Sequence, residues 1–326
     1  MKITKLLTAA FLPLFFIAPS SAQDGGYPTR PIRLIVGFSA GGATDVSARL
    51  FAKKMGDVLG QSVIVETKLG AAGTISADYV ARSPADGYTL LYTTSSIHAI
   101  SPHLYTDLKW DPVKDFAPIA LAAKYPQVLL VNNDLPVKTL SELVALMKKN
   151  PNKYSYASAG VGGTQHMAGA ILAARAHVDA VHVPYKGMSA AYPDLIAGRV
   201  QIMFDNSPSA IPFVNDRRVR ALAVSSAERV SNLPDVPTIK ESGFPDFDIN
   251  GWSGFVAPAG TPQAIIDKLN MAVIKSSQSP EVQQWLTENG SPTNLSGTPA
   301  EFATFLKDEL AFWKGAVELS GAKQQQ

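Results

Sequence analysis

The chain has 326 residues, a formal net charge of +2 and no cysteine. This near-neutral balance argues against a nucleic-acid-binding protein, which needs a strongly basic face, and the lack of cysteine excludes disulfides. Stability therefore has to come from a hydrophobic core, and a chain with 46% hydrophobic residues can bury one, most simply in two lobes.

The N-terminal segment, residues 1–22, has the pattern of a secretory signal peptide. Lys2 and Lys5 precede an apolar run of about a dozen residues, and Ser-Ser-Ala at 20–22 supplies the small residues of a cleavage site. A membrane anchor needs roughly 20 apolar residues, and this run is shorter and contains proline. We expect cleavage between Ala22 and Gln23. The mature protein would then carry equal numbers of basic and acidic residues and reside in the periplasm.

The mature chain begins with strand and helix signals in alternation. Gly60 and Pro84 are expected to end the two helices. This βαβαβ order is typical of a parallel sheet covered by helices. The predicted elements are the strand IRLIVGF (32–38), the helix TDVSARLFAKKMGDVLG (44–60), the strand SVIVET (62–67), the helix GTISADYVARS (73–83) and the strand GYTLLYTT (87–94).

A similar alternation follows the irregular residues after Pro102. A Pro-rich passage then leads to GWSGFVAPAGTP (251–262), two amphipathic helices close the chain, and the Gln-rich tail after Gly321 is predicted to be disordered. The predicted elements between are FAPIALAA (116–123), QVLLVNN (127–133), the helix SELVALMKKN (141–150), the strand–loop–helix unit KYSYASAGVGGTQHMAGAILAARA (153–176), the strand AVHVPYKG (180–187), the helix AAYPDLIAGRV (190–200) and the strands VQIMFD (200–205) and VRALAVSS (219–226).

Both halves start with a strand, a glycine-rich loop and a helix, which predicts two similar α/β lobes. We expect lobe 1 to comprise residues 23–124 and 229–326, and lobe 2 to comprise residues 125–228. The chain would then cross between the lobes near 122–128 and again near 225–252, which is the geometry of a hinge. Ligands of open α/β sheets bind beyond the strand C-termini, so both glycine-rich loops would face one cleft.

The first glycine-rich loop lies within LIVGFSAGGATD (34–45), and such a turn before a helix suits an anion. A phosphate loop is rejected because Ala43 occupies the position of its lysine. The pattern G-x-S-x-G at 37–41 raises an alternative, an exported serine esterase with Ser39 as nucleophile. Because the last histidine is His182 and no earlier strand supplies an oxyanion loop, this alternative would need a pair between Ser39 and His166.

No metal or cofactor is expected. His177 and His182 stand five apart, the H-E-x-x-H pattern is missing, and the chain has no thiolates. The two histidines more simply flank a strand and its loop.

Carboxylate binding is the remaining interpretation of the two glycine-rich loops. The first loop offers the backbone N–H groups of Ser39 to Gly42 and the hydroxyls of Ser39 and Thr44, and the second loop, 158–164, offers the same kinds of donor. Neither loop carries Lys or Arg, but amides and hydroxyls at helix N-termini can hold an anion without a formal countercharge. Asp45 is expected to cap its helix by accepting backbone N–H bonds.

The sequence resembles the extracytoplasmic solute receptors of the tripartite tricarboxylate transporter group, the Bug receptors. The likeness covers essentially the whole mature chain. It implies a type II periplasmic-binding-protein fold of two α/β lobes joined by a two-crossing hinge. It also implies a monomer without catalysis that hands a small carboxylate to a two-component membrane permease. The stretches that carry it are YPTRPIRLIVGFSAGGATDVSARL (27–50), YASAGVGGTQHMAGAIL (156–172), VPYKGMSAAYPDLIAGRVQIMFDN (183–206) and GWSGFVAPAGTPQAIIDKLN (251–270).

The resemblance further implies that loop amides, hydroxyls and ordered waters hold the ligand carboxylates. Lys186 could be a salt-bridging cation or a solvated lysine at the rim. Phe38, Tyr125 and His166 could stack on an aromatic acid or belong to the wall or core. The implied contacts are Phe38, Ser39, Ala40, Gly41, Gly42, Asp45, Thr94, Ser95 and Ser96 in lobe 1, and Ser158, Ala159, Gly160, Gly163, Thr164, His166, Tyr185, Lys186 and Asp205 in lobe 2.

Overall fold

The computed structural model describes residues 26–295 and 297–322. The expected signal peptide and the last residues of the Gln-rich tail lie outside them. In chain order the elements are β1 (Ile32–Val36), α1 (Ala43–Leu59), β2 (Val63–Thr67), α2 (Thr74–Ala81), β3 (Thr89–Thr94), α3 (Ser101–Leu104), β4 (Phe116–Val131), α4 (Leu140–Lys149), β5 (Ser155–Ser158), α5 (Thr164–Ala176), β6 (Val181–Pro184), α6 (Met188–Ile196), β7 (Ile202–Asn206), α7 (Ser207–Asn215), β8 (Arg220–Val224), β9 (Asn250–Pro258), α8 (Gln263–Ser277), α9 (Pro280–Glu288) and α10 (Pro299–Ser320).

Within the described residues the strands form one nine-stranded sheet in the order β2-β1-β3-β9-β4-β7-β5-β6, and β8 pairs with β4. We call β1, β2, β3, β9 and the first part of β4 the first half, and the remaining strands with the end of β4 the second half. β1 pairs in parallel with β2 and β3, which confirms the predicted βαβαβ unit. β5 pairs in parallel with β6 and β7 in the second half.

Strand β4 connects the two halves. From Phe116 to Pro126 it pairs antiparallel with β9, and from Gln127 onward it pairs with β7 and β8. The sequence was expected to form two separate strands here, and that prediction was wrong. Strand β4 contains two prolines. Pro118 stands at a register shift and Pro126 at the point where the pairing partner changes, so neither interrupts a regular ladder of hydrogen bonds.

Several helical segments also differ from the prediction. A π-helical turn, Ser96–Ile100, and α3 fill the region after β3, part of which was expected to be irregular. Helix α7 stands between β7 and β8, where two consecutive strands were predicted; Pro208 in its first turn and Pro212 within it conceal it in the sequence. Three helices, α8 to α10, close the chain instead of two.

The C-terminal helices cover both halves of the sheet. Helix α8 packs on α1 and β4, while α10 contacts the π-helical turn 96–100, β4 and also α5. Trp313 of α10 is fully buried in a core cluster that includes Leu91 of β3 and Phe204 of β7. In the part of the chain that the structure describes, no helix combines the length and apolar content needed to cross a bilayer.

A partly buried carboxylate, that of Glu309, links α10 to β9. Oε2 of Glu309 accepts hydrogen bonds from the indole Nε1 of Trp252 at 2.6 Å and of Trp313 at 2.9 Å. Both indoles are almost completely buried. Burial raises the pKa of the Glu309 carboxyl, and the two indole hydrogen bonds oppose that rise. Glu309 therefore satisfies two buried donors that have no other acceptor among the described hydrogen bonds.

Candidate functional site

A cavity of about 460 Å³ lies where the two halves of the sheet meet. Four helices point their N-termini at it. The first-turn N–H groups of a helix have no partner within the helix and form the positive end of its dipole, so the four ends together favour an anion. The first-turn residues that line the cavity are Ala43 and Thr44 of α1, Thr164 and Gln165 of α5, Met188 and Ser189 of α6, and Pro208 and Ser209 of α7.

Among the lining residues that the structure describes there is no lysine, arginine or histidine, and Asp205 is the one carboxyl. Asp205 is 1% exposed. It accepts hydrogen bonds from the Tyr192 hydroxyl at 2.8 Å, from the N–H of Asn206 at 2.8 Å and from the Gln165 side chain. Burial raises the pKa of Asp205 to about 7, because these hydrogen bonds only partly offset the cost of an ionised buried carboxyl.

The structure brings part of the predicted site together. Phe38, Ser39, Gly41, Gly42, Thr94, Ser95, Ser96, Ala159, Thr164 and Asp205 line the cavity. Outside its lining lie Ala40, Asp45, Ser158, Gly160, Gly163, His166, Tyr185 and Lys186.

In the first loop, two of the amides that were expected to face a ligand are used within the loop. The N–H of Gly41 donates to the Asp45 carboxylate at 3.0 Å, and the N–H of Gly42 approaches the Ser39 carbonyl at 3.4 Å. Asp45 accepts the N–H of Gly41, which precedes the N-cap Gly42 and lies outside α1, and it also pairs with Arg49 at 2.9 Å. The donors left at this loop are the first-turn amides of α1 and the hydroxyls.

The second loop is also closed on itself. The N–H of Gly160 donates to Ser158 Oγ at 3.1 Å, that of Gly162 to His166 Nδ1 at 3.3 Å and that of Gly163 to the Gly160 carbonyl at 3.3 Å. In this structure the N–H groups of Gly160 and Gly163, which were expected to face a ligand, donate within the loop.

Hydrogen bonds join the second loop to the first half across the cavity. Thr164 Oγ1 lies 2.9 Å from Ser95 Oγ, and the Thr164 N–H donates to Ser96 Oγ at 3.3 Å. Gly187 also approaches Ser39: a side-chain carbon at Gly187 would lie 3.1 Å from Ser39 Oγ. The two halves are therefore in contact along the rim of the cavity.

His166 supports the second loop from outside the cavity. Its ring lies 3.9 Å from that of His182, centroid to centroid, and His182 Nε2 is 2.7 Å from Ser158 Oγ. Burial lowers the pKa of His166 to about 3, with a smaller contribution from His182. None of the hydrogen bonds between described residues joins Ser39 to His166, so the pair that an esterase would need is not formed.

In the turn after β6, residues 185–187, Gly187 lines the cavity, whereas Tyr185 and Lys186 do not. The Tyr185 hydroxyl donates to Asp194 at 2.7 Å, away from the lining. Lys186 is exposed and takes part in none of the ion pairs found between described residues. Its exposure favours the solvated lysine over the salt-bridging cation, the two roles considered for it.

Sequence reasoning missed most of the aromatic wall. Phe213 lies on α7, which was not predicted, and Trp285 lies on α9, one of three closing helices where two were predicted. Tyr125 lines the cavity, while its hydroxyl bonds to Ser47 at 3.0 Å and Ser253 at 2.9 Å in the core. Further lining residues that were not predicted are Met188, Ser189, Tyr192, Asn206, Ser209, Trp252 and Asn289.

The chain is similar to known proteins over nearly its whole length. The family described as "Tripartite tricarboxylate transporter family receptor" matches residues 47–321. The structure of periplasmic binding protein BugD is 35% identical, with a TM-score of 0.86 over 92% of this chain and 100% of BugD. An R. palustris protein with adipate is 34% identical, with a TM-score of 0.86 over 90% and 98% of the two chains. MatC from Rhodopseudomonas palustris with bound malate is 34% identical, with a TM-score of 0.83 over 89% and 100%. These likenesses confirm the predicted fold class.

Proposed function

Because the chain belongs to the tripartite tricarboxylate transporter receptor family, the Bug proteins, we propose that it is a periplasmic receptor for a small organic carboxylate. In this proposal it delivers the ligand, as a monomer, to a membrane permease of the tripartite tricarboxylate type. The observation that carries the proposal is the cavity itself, where four helix N-termini and several hydroxyls surround a space without a cationic side chain. Adipate and malate in two related structures are carboxylates as well.

The proposal includes two lobes that close on the ligand, with lobe 1 at 23–124 and 229–326 and lobe 2 at 125–228. The change of partner along β4 after Pro126 supports a border near that residue. The contacts of Thr164 with Ser95 and Ser96 would then be contacts between the lobes, made when the cleft is closed.

A thermal-shift screen tests carboxylate binding. We expect at least one acid from a panel of aliphatic, aromatic, di- and tricarboxylic acids and amino acids to raise the melting temperature saturably. A ligand that binds only the folded state at 100 times its Kd stabilises by about 2.7 kcal/mol. The corresponding neutral amide is the control and is expected to have no effect. The proposal is wrong if inorganic phosphate or a sugar stabilises the protein and no carboxylate does.

The proposal also holds that Ser39 is not a nucleophile, since no described histidine lies within hydrogen-bonding distance of it to take its proton. A fluorophosphonate probe should therefore leave the purified protein unlabelled, with a known serine esterase as the positive control. Labelling that disappears in the Ser39→Ala variant would instead support the esterase alternative.

A further inference from the structure

Helix α7 begins at the cavity without the side-chain cap that its sequence offers. Asn206 occupies the N-cap position of this helix. Asparagine is among the residues that most favour this position, because its side-chain oxygen can accept an N–H of the first turn. In this structure the Asn206 side chain makes no capping hydrogen bond. The first turn of α7, from which Pro208 and Ser209 line the cavity, therefore keeps its N–H groups free of that acceptor.

Gln127 holds the oxygen that would otherwise cap the helix. Gln127 and Asn206 lie opposite each other in the antiparallel pairing of β4 and β7, which brings their side chains together. Gln127 Nε2 donates to Asn206 Oδ1 at 2.5 Å. Because the oxygen and the nitrogen of a carboxamide lie on opposite sides of its carbon, this bond directs Asn206 Nδ2 away from Gln127. Nδ2 takes part in none of the hydrogen bonds found between described residues, and Asn206 lines the cavity.

The stability of the fold does not explain the Gln127 side chain. It is fully buried, and its Oε1 has no hydrogen-bond partner among the described residues. A buried acceptor without a partner costs free energy, so an apolar side chain of the same length should be at least as stable at this position. Among the described residues, the bond to Asn206 is the one that the Gln127 side chain makes.

Gly251 of β9 leaves room for the two carboxamides. A side-chain carbon at Gly251 would lie 3.0 Å from Asn206 Oδ1 and 3.3 Å from Gln127 Nε2, closer than such a carbon normally approaches. Gly251 pairs with Tyr125 in the first half of the sheet, whereas Gln127 and Asn206 pair within the second half. The orientation of the Asn206 carboxamide is thus set where the two halves meet.

We propose that Asn206 donates a hydrogen bond from Nδ2 to an oxygen of the bound acid, and that Gln127 is the positioning residue that holds the Asn206 carboxamide in this orientation. This inference rests on the proposed function. By keeping Oδ1 away from α7, Gln127 also preserves the first-turn N–H groups of that helix as donors. Both effects add donors to a cavity whose described lining residues include no lysine, arginine or histidine.

Isothermal titration calorimetry with two variants tests both roles. The probes are adipate, L-malate, benzoate, citrate and L-glutamate, and the acid that binds the unaltered protein most tightly is used for the variants. Gln127→Met keeps the length of the side chain and removes the donor, and Asn206→Ala removes the carboxamide. Each should weaken binding at least about tenfold, because a hydrogen bond to a charged group contributes that much or more. Gln127→Met should also leave the urea midpoint of unfolding unchanged or raise it, because the unpartnered Oε1 is gone.

Gln201→Met is the matched control. Gln201 is partly buried and lies outside the cavity lining. Its Oε1 accepts the Ser155 N–H at 3.1 Å, and its Nε2 donates to the Gly198 carbonyl at 2.8 Å. Because these hydrogen bonds hold the fold, this variant should lower the urea midpoint and leave the affinity unchanged, which is the reverse of the pattern expected for Gln127→Met.

The outcomes separate this inference from the proposed function. A Gln127→Met protein that binds the acid as tightly as the unaltered protein, or that fails to fold by circular dichroism, would overturn the positioning role of Gln127. The affinity of Asn206→Ala decides the contact in either case, and unchanged binding by this variant would overturn it. All of these results leave the proposed function intact. If none of the five acids binds the unaltered protein, the inference and the proposed function are both wrong.

Discussion

Replacing Glu309 by alanine is expected to lower the free energy of unfolding by about 3 kcal/mol, because two buried indole N–H groups lose their acceptor. Trp252 and Trp313 both donate to the same carboxylate oxygen. A buried donor left unsatisfied costs about 1–3 kcal/mol. Urea denaturation followed by tryptophan fluorescence at pH 7.5 measures the change. Because Trp252 also lines the cavity, ligand affinity should fall in the same variant.

Two further variants separate the hydrogen bonds from other effects of the substitution. Glu309→Gln retains an acceptor oxygen of similar position and is expected to cost less than about half as much as the alanine variant. Glu318→Ala removes an exposed carboxylate from the same helix and should change the unfolding free energy by no more than about 0.5 kcal/mol. Equal losses in Glu309→Ala and Glu318→Ala would show that the indole hydrogen bonds contribute nothing.

Acidification from pH 6.5 towards pH 4 is expected to destabilise the protein. Burial lowers the pKa of His98 to about 4 and that of His166 to about 3. In the unfolded chain these imidazoles have a pKa of about 6.5. As the pH falls, the unfolded state therefore binds protons before the folded state does, and the equilibrium shifts towards unfolding. Each histidine that stays neutral contributes a slope of about 1.4 kcal/mol per pH unit.

Asp205 acts in the opposite direction. Because its pKa is raised to about 7, the stability that it contributes is present at low pH and is lost as the pH rises through 7. Urea denaturation at pH 5, 6, 7 and 8 measures both slopes. Asp205→Asn should remove this loss, which falls between about pH 4 and pH 7, and His166→Asn, which keeps an acceptor for the Gly162 N–H, should reduce the loss of stability on acidification. A flat profile in the unaltered protein between pH 5 and 6.5 would contradict the histidine contribution.

The elements that the sequence predicts correctly are those whose signals are local. The strand at 32–36 and the helix at 43–59 show hydrophobic periodicity, and Gly60 ends the helix in a left-handed conformation. Helix α7 was missed because prolines normally interrupt helices, while here Pro208 lies in the first turn, where no N–H is needed. Pro126 concealed the continuity of β4 because proline normally interrupts a strand, whereas here it lies where the pairing partner changes.

The candidate site was predictable where it consists of loops that follow strands. Ser39, Thr94 and Thr164 line the cavity because the C-terminal ends of their strands meet there. Phe213 and Trp285 come from helices that the sequence does not reveal, so the aromatic wall was not foreseen. The hydrogen bond from the Gly41 N–H to Asp45 depends on the path of the loop in space. The spacing of residues in the sequence therefore does not show that this N–H already has an acceptor.

Helix α10 restricts how the cavity can admit its ligand. It touches the turn at 96–100 on one side and α5 on the other, so α5 cannot move away from β3 without sliding along α10 or pulling it off the turn. Packed helices tolerate small sliding movements more readily than loss of contact. Any widening of the cavity at α5 should therefore occur by shear of α5 over α10, not by separation of the two helices.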